Sequence, residues 1–241
     1  MSADQHTPST APAAGTAASP GPGPALAVGE VLAVCRVHQL VPDAGPVGVS
    51  AIDKRPVHGA VKVGRLGLYA DVQADRAHHG GEEQAVYAYA EEDAAAWAEE
   101  LGREIPPGLF GENLRLRGLA VSDAVVGERW QVGTALLEVT VPRTPCATFA
   151  RRMAEPKWVR RFSERAATGA YLRVLRRGEL SAGDAVAVVH RPGHGVTVRD
   201  LFLGPTEEEA RRLHAGREAG AWELTSKAAR EVDRVLGTVE S

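Results

Sequence analysis

The run ALLEVTVPRTPCATFA, Ala135 to Ala150, holds a strand and its abrupt end. Leu137, Val139 and Val141 alternate with Glu138 and Thr140, the two-residue period of a strand that turns one face to a core. Pro142 and Pro145 each fix φ at about −65° and remove an amide donor, so the chain cannot continue as an interior strand. The thiol of Cys146, just after them, is therefore presented in a preset direction.

The same texture repeats on both sides. Upstream, VLAVCRV, GPVGVSAIDKRPV, AVKVGRLGL and QAVYAYA are short apolar runs punctuated by glycine and proline, and ENLRLRG and ERWQVG precede the opening run. Downstream, AYLRVL and DAVAVVH read as two closing strands, for roughly eight to ten strands in all. Helices interrupt them. Glu91 to Leu101 places Ala94, Trp97, Ala98 and Leu101 at helical spacing with Gly102 as its stop, and EPKWVRRFSERAATG sets Trp158, Val159 and Phe162 on one helical face. Near the C-terminus, Thr206 and Glu209 form a capping box, and AWELTSKAAREVDRVLG gives a last helix closed by Gly237. The expectation is a mainly β domain with helices over residues 29–190 and a small helical extension over 196–237. Residues 1–25, nearly all Ala, Pro, Gly, Ser and Thr, read as a disordered tail.

With 241 residues, 44% of them hydrophobic and 24% charged, the chain can bury a full core. A formal net charge of −3 supplies no field that would gather it onto nucleic acid or an acidic membrane surface. No apolar run approaches a membrane span, and the N-terminus lacks the basic opening and apolar core of a signal peptide. Two distant cysteines make no disulfide framework. A protein of the reducing cytoplasm is expected, with no nucleic-acid or membrane partner.

Cys146 admits three readings from its residues: a small buried apolar side chain, a reactive thiolate if Arg143 lies near, or a soft ligand for a thiophilic metal. Cys35, inside VLAVCRV, reads as core. In DRAHHGGEEQAVYAYA, Gly80 and Gly81 permit positive φ and close approach of backbone amides to an anion, or make an ordinary turn. His78 and His79 are adjacent and have no helical i,i+4 partner, so they do not make a zinc pair. Glu112 and Asn113 either hold a turn or meet the polar edge of a heterocycle. Lys54 and Arg55 are either a solvated pair or phosphate ligands.

Four pieces in order, SAIDKRPV, HHGGEEQAVYAY, FGENL and VPRTPC, resemble the MOSC domain family, named for the C-terminal domain of molybdenum cofactor sulfurases. HGVTVRDLF and the helices after it resemble the three-helix extension of the N-hydroxylaminopurine-resistance branch. The resemblance implies a β-barrel-like fold that holds a molybdenum cofactor. It makes Cys146 the sulfur ligand to molybdenum and the catalytic position. It places Arg143, Thr144, the His79, Gly80 and Gly81 turn, Lys54, Glu112 and Asn113 around the cofactor. Similar proteins reduce N-hydroxylated bases and amidoximes, which here implies a small N-hydroxylated substrate and a separate electron-donor protein. A non-catalytic carrier of the cofactor or of sulfur is the alternative. This sequence has Ala70-Asp71 where the family commonly has Gly-Asp, which puts a tight turn there in question.

Overall fold

A computed structural model of the chain describes residues 28–45, 47–72 and 80–238. The tail read over residues 1–25, and His78 and His79, lie outside these. In chain order the strands are β1 (Val28–Val37), β2 (Val41–Pro42), β3 (Val49–Ser50), β4 (Lys54–Pro56), β5 (Val61–Gly64), β6 (Gly67–Leu68), β7 (Val86–Ala90), β8 (Leu114–Arg117), β9 (Arg129–Val132), β10 (Ala135–Pro142), β11 (Ala170–Arg176), β12 (Gly178–Leu180) and β13 (Ala185–His190). The helices are α1 (Glu91–Leu101), α2 (Ala147–Met153), α3 (Trp158–Arg165), α4 (Val198–Leu203), α5 (Glu207–Glu218) and α6 (Ser226–Leu236).

Seven strands close on themselves in the order β13-β9-β10-β11-β7-β8-β1, β1 pairing with β13 through Val28 to Glu30. Only β7 and β8 run parallel in this ring. The fold is a closed mixed β-barrel: the alternating runs led to a mainly β domain, and the barrel is what the family resemblance implied. The thirteen strands among the described residues exceed the eight to ten expected because β2, β3, β4, β6 and β12 are two or three residues long. Such pieces are too short to display a period.

Leu137, Val139 and Val141 enter the barrel's apolar cluster. Their polar neighbours are covered too: Glu138 takes Arg129 Nε at 2.8 Å and Arg173 Nη2 at 2.5 Å, and the Thr140 hydroxyl is shared between the carbonyls of Glu83 and Tyr171. Alternation thus told which residues face inward, not which stay wet. A second cluster, with Tyr87, Tyr89, Trp97, Phe110, Phe149, Trp158 and Phe162, packs α1, α2 and α3 on the outside of the barrel. Val159 does not join the face expected for it. It is 40% exposed, because one residue past Trp158 the helix has turned about 100° away from the contact.

α1 ends at a left-handed Gly102, α5 begins with the Thr206–Glu209 capping box, and α6 ends at a left-handed Gly237, all as read. α4 has a second such box, Thr197 with Asp200. Val198, Leu201, Ala210, Leu213, Ala228 and Val232 of α4 to α6 share the barrel's apolar cluster. Gly216 inside α5 has a steric reason: a Cβ there would stand 1.8 Å from the Trp222 ring.

Trp222 in turn lies edge-on to His194, with ring centroids 4.6 Å apart. His194 Nδ1 accepts from Val196 N at 3.0 Å, so the proton sits on Nε2 and is donated to Val126 O, also at 3.0 Å. Burial, aided by Arg212, holds this imidazole below the usual histidine range. The folded state therefore binds fewer protons than the unfolded one as pH falls below the ordinary value of 6.5. Stability is fully present above 6.5 and is lost towards the lower folded value, at up to about 1.4 kcal/mol per pH unit. Unfolding titrations from pH 8 to 5 are expected to show that loss, and His194→Gln to remove its share of the slope.

Candidate functional site

The end of β10 and the start of α2 carry the proline-framed loop to one wall of a cleft of about 440 Å³. Cys146, in extended conformation at φ −129°, is the residue before α2, and buried Phe149 and Met153 pin that helix to the aromatic cluster behind it. Residues 43–45, 47 and 49–52 line it too, with Lys54, Asp71, Tyr87, Asn113 and Tyr171.

Arg143 is the anomaly in this cleft. Only 7% exposed, its guanidinium lies 3.8 Å from the Phe149 ring centroid and 5.5 Å from that of Tyr87. Its Nη1 is buried without a hydrogen-bond partner, and among the described residues no carboxylate pairs with it. Ring faces recover about 0.5–2 kcal/mol for such a cation, well short of the several kcal/mol that burying a charge costs. The other cations of the cleft are matched. Lys54 Nζ meets Asp71 Oδ2 at 2.5 Å, and Arg151 forks onto Asp43 at 2.7 and 2.8 Å, holding the Asp43 carboxyl below the usual range. The cleft is left one positive charge in excess. Burial lifts the Tyr87 and Tyr171 phenols above the usual tyrosine range, so both stay neutral hydroxyls.

Asp71 is a hub that sequence reasoning did not assign to the site. It accepts from Val37 N, Lys54 Nζ and Asn113 Nδ2, tying β1, β4 and the start of β8 together. The turn before it survives the loss of glycine: Ala70 adopts φ +60° and Asp71 N still bonds Leu68 O at 3.0 Å. A left-handed alanine costs roughly 1–2 kcal/mol, so the departure from Gly-Asp is absorbed as strain rather than as a different turn. Asp43, Thr148 and Arg151 were missed as well. Thr148 and Arg151 share a face of α2 and meet Asp43 from more than a hundred residues away, a pairing with no local signal.

The structure brings Cys146, Arg143, Thr144, Lys54 and Asn113 to one cavity. Lys54, read as either solvated or a ligand, is half-buried on its ion pair, whereas Arg55 is exposed beside Asp53. Glu112 is elsewhere. Fully buried, it accepts from Gly108 N at 2.8 Å, Phe110 N at 3.0 Å and Arg115 Nε at 3.0 Å, knotting its own loop. That loop runs so close to β4 that a Cβ on Gly108 would stand 2.4 Å from Lys54 O. Gly80 and Gly81 are not among the lining residues; Gly81, at φ 85° and ψ −177°, opens the short turn that delivers Gln84 and Ala85 to the cavity. His79 lies outside the described residues.

No group of three or more His, Cys, Asp or Glu side chains converges among the described residues. A metal ion in the cleft would have to bring most of its own ligands.

Residues 75–187 match the MOSC domain profile, and protein YflK of Bacillus subtilis (strain 168) is 33% identical over 150 residues, 62% of this chain and 68% of YflK. The chain belongs to the MOSC domain family. The structure of YiiM from Geobacillus stearothermophilus superposes with a TM-score of 0.69 at 25% identity, covering 86% of this chain and 99% of YiiM. A protein named "Reductase" from Gibberella moniliformis (strain M3125 / FGSC 7600) is 31% identical over 151 residues, 59% of this chain but only 26% of that protein. In this MOSC protein the profile stops within β13, so α4, α5 and α6 lie beyond it. No described helix is long and apolar enough to cross a membrane.

Proposed function

We propose that this MOSC protein binds a molybdenum cofactor in the cleft and reduces N-hydroxylated compounds. The observation that carries the reading is the buried, unpaired Arg143 guanidinium beside the Cys146 loop. An anionic group supplies the missing counter-charge, and a planar fork suits a phosphate or a pterin edge. Arg143 and Thr144 would hold the anionic part, with Lys54 as a further cation. Cys146 would give the metal its one protein sulfur, in keeping with a soft ligand standing where the described residues form no protein cage. When bound, the cofactor supplies the two-electron redox chemistry.

The chain's own part is to orient and to admit substrate. Val47, Val49, Ile52 and Val72 give the cavity an apolar side, suited to a flat, weakly polar molecule. Reduction of an N–OH group consumes two electrons and two protons and yields N–H and water. Two cysteines cannot build a four-thiolate cluster, so the electrons would come from a separate donor protein.

Protein purified from a host that makes the cofactor is expected to oxidise a reduced viologen in the presence of an amidoxime, above the level of cofactor-free protein. Loaded protein that reduces no N-hydroxylated compound would contradict the activity and leave a carrier of the cofactor.

A further inference from the structure

The N-terminal turn of α6 reaches two of the loops that line or lead into the cleft, although it lies some forty residues beyond the MOSC profile. Ser226 grips one loop: its amide donates to Glu83 Oε1 at 3.1 Å and its hydroxyl to Glu83 Oε2 at 3.2 Å. Glu83 belongs to the turn that delivers Gln84 and Ala85 to the cavity, and its carbonyl also accepts from Thr140 of β10. Lys227 grips the other loop, donating from Nζ to Thr144 Oγ1 at 2.9 Å. Thr144 lines the cleft on one side. On its other side it lines a second cavity of about 350 Å³, bounded by the end of β10, by α4 and by α6.

The grip is anchored. Thr225 caps α6 by accepting from Ala228 N, and Ala228 and Val232 are buried in the barrel's apolar cluster. Lys227 has no carboxylate partner among the described residues, since its neighbour Glu231 is engaged by Arg234. Among the described residues its ammonium has one hydrogen-bond partner, the Thr144 hydroxyl. Prolines on both sides of Arg143 and Thr144 leave that segment few amides with which to fix itself, so a hydrogen bond from outside has an unusual share in setting it.

We infer that Lys227 is a positioning residue for the cleft: it holds the Thr144 hydroxyl, and through Thr144 sets the loop that presents Arg143 and Cys146, while Ser226 holds the opposite loop through Glu83. This rests on the cleft being the ligand site, but it is tested without the ligand. The readout is alkylation of Cys146 by iodoacetamide on the full chain. Cys35 does not interfere, because it is fully buried and burial pushes its thiol up to about 12.

Lys227→Met is expected to accelerate alkylation roughly threefold or more, the lower end of couplings between side chains in contact. Lys227→Arg, which keeps a donor, is expected to restore the wild-type rate. In a Thr144→Val background, Lys227→Met is expected to add nothing, since its effect passes through the hydroxyl already removed. Amide hydrogen exchange at residues 144 and 146–147 is expected to quicken in Lys227→Met while that at 82–85 does not, and Ser226→Ala to give the converse. An unchanged alkylation rate in Lys227→Met, or the same acceleration with and without the Thr144 hydroxyl, overturns the inference. A failure to bind molybdenum would sink the cofactor reading and leave this cycle unaffected.

Discussion

Arg143→Met is expected to leave the ligand-free protein as stable as the wild type or more so, and to abolish binding of the anionic ligand. The two effects have one cause. Arg143 is a buried cation whose Nη1 has no partner and which no carboxylate faces among the described residues. Replacing buried charge by well-packed apolar volume is commonly neutral or stabilising by about 1–4 kcal/mol. The lost stacking on Phe149 and Tyr87 subtracts about 0.5–2 kcal/mol, so the net change is centred on a gain of about 1 kcal/mol. Removing the one uncompensated cation among the described residues that line the cleft costs the ligand its charge-assisted hydrogen bonds at about 1.5–3 kcal/mol each, on the order of 100-fold or more in affinity for two. Thermal melts of ligand-free protein, and cofactor retained through gel filtration, measure the two arms. A destabilised variant that still retains cofactor would mean that Arg143 is a packing residue.

Glu112→Gln is expected to do the reverse and to strike the fold. Although the family resemblance placed Glu112 at the cofactor, its carboxylate takes the amides of Gly108 and Phe110 and faces a fully buried Arg115 whose other carboxylate partner is Glu91. The amide side chain keeps the shape but removes the charge and turns an acceptor into a donor. Breaking one partner of a buried pair costs about 3–5 kcal/mol. At about 2–4 °C per kcal/mol for a chain of this size, the melting midpoint falls by roughly 6–20 °C. The double variant Glu112→Gln/Arg115→Met is expected to be less damaged than the sum of the single ones, because it no longer strands a buried charge. An unaltered midpoint with weakened cofactor binding would return Glu112 to the site.

These two residues mark what could be read from the chain. The place of Arg143 and Cys146 at the cleft was legible because prolines act locally, framing the guanidinium and directly preceding the thiol. The stops at Gly102 and Gly237 and the Thr206–Glu209 box were legible for the same reason. Glu112 misled because burial, not spacing, decides whether a carboxylate serves a ligand or its own loop. Arg115, three residues on and in a strand buried on both faces, was the available hint. Closure of the barrel by β1 on β13 was beyond reach, since a period of two gives the face of a strand and not its partner. Nor could spacing show Asp43 meeting Arg151, Asp71 gathering Lys54 and Asn113, or Lys227 returning to Thr144.

The central claim is that Cys146 ligates a molybdenum cofactor held by the Arg143 loop. Elemental mass spectrometry of molybdenum per chain tests it most directly, on wild type and Cys146→Ala purified from one host whose cofactor supply is verified. Near-stoichiometric metal in the wild type and its loss in the variant is the expected result. Molybdenum absent from both, or retained undiminished in Cys146→Ala, would contradict the claim.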